Sequence, residues 1–390
     1  MDKASISQRI LFMVTAVFWF AQYAYTPYVN PQLIVIGVSA SVIGFIGGAY
    51  GFTQFVLRIP VGIAADKWQK KFFICAGSLC AGLAALCMLV LHNPAGFLIG
   101  RALGGVAASS WVPFTVLYSS YHKPEHATRS ITMINLANQA GRLAAFLMAG
   151  LFAASFGPKS AFLLSAAGGF LAFGMSLLVR EDKASIGRKP MTFRELITVG
   201  GERNLLITSI LAVLVQLIAF ATYNTFTANH AVSVGASASQ IGYLHVALLS
   251  PSIALNFCLS KFILKRVDAK YLVVLGFAVT ALYCMAVPFT TAVWQLYLTQ
   301  MLGGIGNTLT YSLLMGLSVQ KVSQEKRGAA MGFHQSIYGV GMTIGPLVMG
   351  FLTDTINLKF GFFFMAGIAA LSTLTASLFL HRRYLKSPYH

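Results

Sequence analysis

Two arginines stand where a charge is expensive. Arg142 lies about eleven residues into an apolar stretch at 131–155, and Arg101 lies within another at 95–117. A helix rising about 1.5 Å per residue would bury Arg142 roughly 16 Å from its end. A guanidinium at such depth needs a partner or a wet cavity, and marks function by default. No acid matches it in depth. All ten Asp and Glu residues fall in connections or at the ends of apolar stretches, with Asp66 and Asp354 at such ends. A planar guanidinium without an acid can be balanced by an anionic solute held through paired hydrogen bonds. Asn135 and Asn138 share the helical face of Arg142 and can supplement it with neutral bonds. For Arg101 a second reading stands beside solute binding, in which it bonds backbone carbonyls and polar side chains to shape packing. Arg58, near the end of its stretch, suits a snorkelling or gating role better. His245 and His334 are the other titratable groups deep in apolar stretches, Tyr and Cys aside. Each is either a hydrogen-bonded packing residue or, lacking any buried carboxylate nearby, a proton carrier.

The elements that must position these residues are transmembrane helices. The 390 residues are 57% hydrophobic and 10% charged, with a mean hydropathy of +0.72. A soluble domain with that balance would lack surface charge. Crossing about 30 Å of hydrocarbon takes roughly 20 apolar residues per helix. Twelve stretches qualify, numbered here helix 1 to helix 12: 10–30, 41–63, 72–91, 95–117, 131–155, 160–180, 205–228, 239–263, 271–290, 293–315, 329–352 and 360–380. The first follows a short head with Lys3 and Arg9 and is read as a retained helix, since its copy lies at 205–228. All five cysteines lie inside these stretches, at spacings that fit neither a zinc nor a redox motif.

The chain repeats itself. Residues 37–44, GVSASVIG, return as 235–242, GASASQIG, at an offset of 198. Gly141 matches Gly341, Gly150 matches Gly350 and Lys159 matches Lys359 at 200. A long repeat in an apolar chain predicts two homologous bundles with a solute site between them. The expected division is residues 1–180, a cytoplasmic linker at 181–204, and residues 205–390. With the N-terminus inside, 23 Lys and Arg fall on the inner side, against Lys159 and Lys359 outside. This places both termini in the cytoplasm and the protein, multi-pass, in the cytoplasmic membrane. The net charge of +18 is therefore a topological signal, not a nucleic-acid footprint, and the basic linker and tail suit anionic lipid headgroups.

Polar stripes complete the candidate set. Gln216, Phe220, Tyr223, Asn224 and Thr227 share a face of helix 7; Gln300, Gly304, Asn307 and Tyr311 share one on helix 10; Gln22, Tyr25 and Thr26 share one on helix 1. Gln335 on helix 11 joins them. Each such residue either bonds helix to helix, for about 0.6–2 kcal/mol, or lines a cavity. Their coincidence on three helices favours a cavity.

Gly62-Ile63-Ala64-Ala65-Asp66-Lys67-Trp68-Gln69-Lys70-Lys71 resembles the loop between helices 2 and 3 that marks the major facilitator superfamily. Gly100-Arg101-Ala102-Leu103-Gly104 resembles its fourth-helix arginine motif, and Glu325-Lys326-Arg327-Gly328 with Gly341, Gly345-Pro346 and Gly350 its eleventh-helix pattern. The sequence departs from the pattern at Gln69, where a second glycine is usual, and in helix 5, where the Gly-Pro element of antiporters stands as Gly141-Arg142 or, in repeat register, as Ala145-Phe146. The resemblance covers essentially the whole chain. It implies an all-α membrane fold of twelve helices in two pseudo-symmetric six-helix bundles, with helices 1, 4, 7 and 10 around a cavity that opens alternately to each side. It also implies that Asp66, Lys67, Lys70 and Lys71, with Arg58, Glu325 and Arg327, form contacts closing the cytoplasmic side.

The expectation is a secondary transporter for a small anionic or zwitterionic organic solute, amphiphilic ones included, coupled to protons and acting as a monomer. A multidrug exporter for neutral or amphiphilic compounds is the nearest alternative. An enzyme would need a nucleophile–base pair or metal cluster, and a sensor or scaffold an added soluble domain; the sequence offers neither. No cofactor and no metal are implied.

Overall fold

The computed structural model describes residues 3–122, 127–181, 198–322 and 326–380, and every regular element among them is helical. The spans are helix 1 (Ile6–Val35), helix 2 (Ala40–Lys67), helix 3 (Lys70–Leu91), helix 4 (Pro94–Ser120), helix 5 (Ala127–Phe156) and helix 6 (Lys159–Ser176). The second set is helix 7 (Arg203–Ser233), helix 8 (Ala238–Lys261), helix 9 (Ala269–Ala286), helix 10 (residues 293–319), helix 11 (Arg327–Thr355) and helix 12 (Leu358–Phe379). All but helix 10 are long and apolar enough to cross a membrane. Helix 10 is divided by a π turn, as helix 7 is.

Helix starts follow from local chemistry. Asn93 and Asn357 cap helices 4 and 12 through their side-chain oxygens, and Pro94 takes the first position, where no amide hydrogen is needed. Ser237 and Gln240 form a reciprocal capping box at helix 8. Gly37 and Gly235, a repeat pair, turn the chain before helices 2 and 8 with φ of 76° and 80°, a left-handed geometry open to glycine.

The two halves pack alike. Helix 1 lies on helices 5 and 6, helix 3 on helices 4 and 6, and helix 2 on helix 4; the repeat mates 7–11, 7–12, 9–10, 9–12 and 8–10 do the same. Paired glycines permit this. A Cβ at Gly141 would strike the backbone of Ala16, and one at Gly341 that of Val213; Gly105 and Gly304 meet the carbonyls of Tyr50 and Leu248 in the same way. Helix 2 crosses to helix 11 and helix 5 to helix 8, and these two pairs carry most of the contact between bundles.

Helices 2 and 11 touch from Ala40 against Gly350, through Gly51 against Met342, to Arg58 against Gln335, and helices 5 and 8 touch at Gly150 against Gly242 and Phe146 against His245. Taking the basic face as inner, the outer ends are sealed: Gly44 sits against Pro346, and Gly150 against Tyr243 and Gly242. The Tyr28 hydroxyl stands 3.2 Å from the Ala149 carbonyl and 3.0 Å from that of Ala238, and Asn30 donates to the Thr225 carbonyl at 2.6 Å. The outer ends of the two bundles are in contact.

Candidate functional site

Four helices lose regular form along their length, and they are helices 1, 4, 7 and 10. Helix 1 has a 3-10 turn at Thr26–Tyr28 and helix 4 breaks at Ser110. Helices 7 and 10 widen into π turns at Thr222–Phe226 and Thr308–Ser312. The breaks fall at equivalent places in the two halves. Such turns expose carbonyls and re-aim side chains, and are frequent at functional sites. Asn224, in the helix 7 turn, donates back to the Ala219 carbonyl at 3.2 Å.

Both mid-membrane arginines lie on tyrosine faces. The Arg142 guanidinium carbon is 4.3 Å from the centroid of Tyr23, and that of Arg101 is 4.6 Å from the centroid of Tyr50. Neither has a carboxylate within salt-bridge distance among the described residues. A π face attracts a guanidinium yet leaves its N–H edge free for an anion. Arg142 Nη1 donates to Gln139 Oε1 at 3.2 Å, while its buried Nε finds no protein acceptor. Asn135, which is exposed, and the half-buried Asn138 do not bond it.

The two arginine groups adjoin. Tyr23 packs on Phe146, which stacks on His245 at 4.8 Å across the helix 5–8 interface. Arg142 lies within electrostatic reach of His245 and of Tyr223. The Tyr223 hydroxyl donates to Asn307 Oδ1 at 2.8 Å, tying helix 7 to helix 10. Around Arg101, Gln22 donates to the Gly104 carbonyl at 2.9 Å, and Tyr25 lies against the same glycine. Tyr50 stacks on Phe220 of helix 7 at 5.9 Å. The Tyr25 hydroxyl faces the Arg101 guanidinium, and Gln22 Oε1, Gln300 Oε1 and Gln335 Oε1 are buried without a protein partner. An unmet buried polar atom costs about 1–3 kcal/mol, so these atoms suit water or a solute.

The remaining candidates lie elsewhere. Arg58, buried, donates to the Tyr338 hydroxyl at 3.1 Å across the helix 2–11 interface, and Tyr338 meets the Tyr311 hydroxyl at 3.2 Å. Lys70 pairs with Glu181 at 3.6 Å, and Lys71 donates through its amide to Glu181 and through Nζ to the Leu177 carbonyl. These two lysines thus engage the end of their own bundle. Lys67 is exposed, and Arg327 donates to the Val322 carbonyl. The Asp66 side chain, Glu325 and linker residues 182–197 lie outside the described residues. The histidines separate. His334 is fully buried inside the second bundle against Ser209 at 3.0 Å. His245 sits between bundles with Nδ1 unpartnered.

Sequence reasoning missed Tyr23, Tyr50, Gln139 and Tyr338. The available signal was weak: Tyr23 falls between Gln22 and Tyr25 on helix 1, and nothing local in the sequence brings Tyr50 to Arg101.

A family model, the Major Facilitator Superfamily, matches residues 11–228 and again 208–389. The chain belongs to the Major Facilitator Superfamily. An uncharacterized MFS-type transporter of Methanocaldococcus jannaschii is 25% identical over 354 residues, covering 87% of this chain and 90% of that protein. The quinolone resistance protein NorA of Staphylococcus aureus is 24% identical over 337 residues, 82% of each chain. The fold is shared with the nucleoside transporter NupG, at a TM-score of 0.80 and 13% identity over 97% of this chain and 100% of that one. This superfamily member is a transporter and not an enzyme.

Proposed function

We propose that this transporter moves a small anionic or zwitterionic organic solute with an apolar, aromatic-compatible body, by rocking alternating access coupled to protons. One observation carries the reading: two mid-membrane guanidinium groups rest on tyrosine faces with no carboxylate partner among the described residues. Each keeps its charge and offers its edge to a ligand. Arg142 is the primary anion contact and Arg101 the second. Tyr23, Tyr50 and Phe146 hold the body, and Gln22, Tyr25, Tyr223, Asn224, Gln300 and Asn307 contribute neutral hydrogen bonds. His245, buried at the bundle interface beside Arg142, is the group for proton coupling. We also place the transporter in the cytoplasmic membrane, with the division at residues 181–204 as a cytoplasmic linker.

The test is a thermal-shift screen of the purified protein against anionic, zwitterionic, neutral and cationic metabolites, followed by flux into proteoliposomes. Stabilisation confined to solutes bearing a carboxylate or phosphate supports the reading. A second reading, export of neutral amphiphilic compounds, is favoured by the similarity to NorA and to the multidrug resistance protein MdtG of Enterobacter lignolyticus, 21% identical over 327 residues. Stabilisation by neutral amphiphiles with none by anions would select it.

A further inference from the structure

Helix 2 takes its N-terminal cap from the opposite bundle. The Asp354 carboxylate accepts from the Ala40 amide at 2.9 Å and from the Ser41 amide at 2.7 Å, the first two amides of helix 2. These amides have no acceptor within their own helix. The third, Val42, points to Ser39 Oγ. At home Asp354 is badly placed. It stands in the last turn of helix 11, where the outward-pointing carbonyls disfavour a negative charge. The unfavourable position at one helix end is offset by a favourable one at the other, and the two ends belong to different bundles.

The repeat sharpens the point. Helices 2 and 8 start with the same motif, yet helix 8 caps itself: Ser237 donates to Gln240 Oε1 at 2.8 Å and its hydroxyl accepts from the Gln240 amide at 3.4 Å. Helix 2 has Val42 where helix 8 has Gln240, and helix 5 has Ala154 where helix 11 has Asp354. The carboxylate cap therefore occurs on the helix 2–11 side alone of the two interfaces. It lies at the tightest approach of that pair, where Gly350 abuts the Ala40 carbonyl and Gly44 abuts Pro346.

We propose that Asp354 is the outer latch of the transport cycle, its carboxylate clamping the N-terminus of helix 2 across the bundle interface while the outer side is closed. Opening that side separates the outer ends of helices 2 and 11. The two hydrogen bonds then break, and Asp354 is left against its own helix terminus. The latch thus adds to the closed-outside state alone.

The test uses the full chain in nanodiscs without solute, so that it does not depend on the proposed substrate. Spin labels at Phe156→Cys and Ser233→Cys, exposed positions at the outer ends of opposite bundles, report opening as an added longer distance. Asp354→Asn should raise the ratio of open to closed populations by about fivefold, the upper range for a surface carboxylate at a helix N-terminus. Ala40→Pro removes one of the donors while keeping the helix start, since proline suits the first position. It should give a smaller shift the same way, and it decides the matter should Asp354→Asn fail to fold. Lys159→Gln, an outer charge change away from the latch, should leave the distances alone. Unchanged distances in Asp354→Asn, unchanged distances in Ala40→Pro, or an equal shift in Lys159→Gln would each overturn the latch.

Discussion

Replacing Arg142 by glutamine removes a charge whose surroundings allow its effect on binding to be worked out. Nη1 is already engaged with Gln139 at 3.2 Å, and the ring of Tyr23 covers one face at 4.3 Å. Nε and the outer edge remain for a solute. A charge-assisted hydrogen bond is worth about 1.5–3 kcal/mol, and Arg142 is half-buried, so the lower end applies to each of two bonds. The loss is about 3 kcal/mol, roughly 150-fold in Kd. Arg142→Lys keeps the charge but not the fork, and should cost about tenfold. Lifting the guanidinium from Tyr23 should cost only about 0.5–1 kcal/mol of stability. Isothermal titration gives the affinities of both variants for the best anionic ligand, and thermal unfolding gives their stabilities. A folded Arg142→Gln protein with wild-type affinity would refute the reasoning and leave Arg101 as the anion contact. Poor folding with intact binding in the surviving protein would assign Arg142 to packing.

Three further outcomes are expected. In a cysteine-free background, cysteines at positions 67, 188 and 386 should label only from the cytoplasm and those at 159 and 359 only from outside; labelling of position 188 from outside reverses the topology. His245→Gln should abolish proton-driven accumulation in proteoliposomes while solute exchange at equal pH continues. Retained accumulation under a pH gradient would remove His245 from the coupling path. Asp66→Asn should shift the protein toward the inward-open state and slow turnover more than it lowers expression, by loss of the charge that the family resemblance sets against the helix 11 N-terminus; unchanged transport and unchanged distances across the cytoplasmic face would exclude that gate.

The sequence by itself determined what depends on local pattern and on solvent. Twelve apolar stretches must be helices, because lipid offers backbone amides no other partner. The 198–200 offset set the twofold plan, and Gly141 and Gly341 are indeed equivalent contact points for helices 1 and 7. Arg142 and Arg101 were legible as unusual because a charge in an apolar run has no inexpensive explanation. Tertiary structure alone decided what lies beside them. The tyrosines at Arg142 and Arg101 come from helices 1 and 2, whereas Gln139 lies one turn from Arg142 on the same helix and was within reach of a spacing argument. The histidines, indistinguishable in sequence, parted because His334 faces Ser209 within a bundle and His245 faces Phe146 between bundles. Asp354 read only as an acid at a helix end. Its partners at Ala40 and Ser41 are more than three hundred positions away, and only the folding of one bundle against the other brings that carboxylate to those amides.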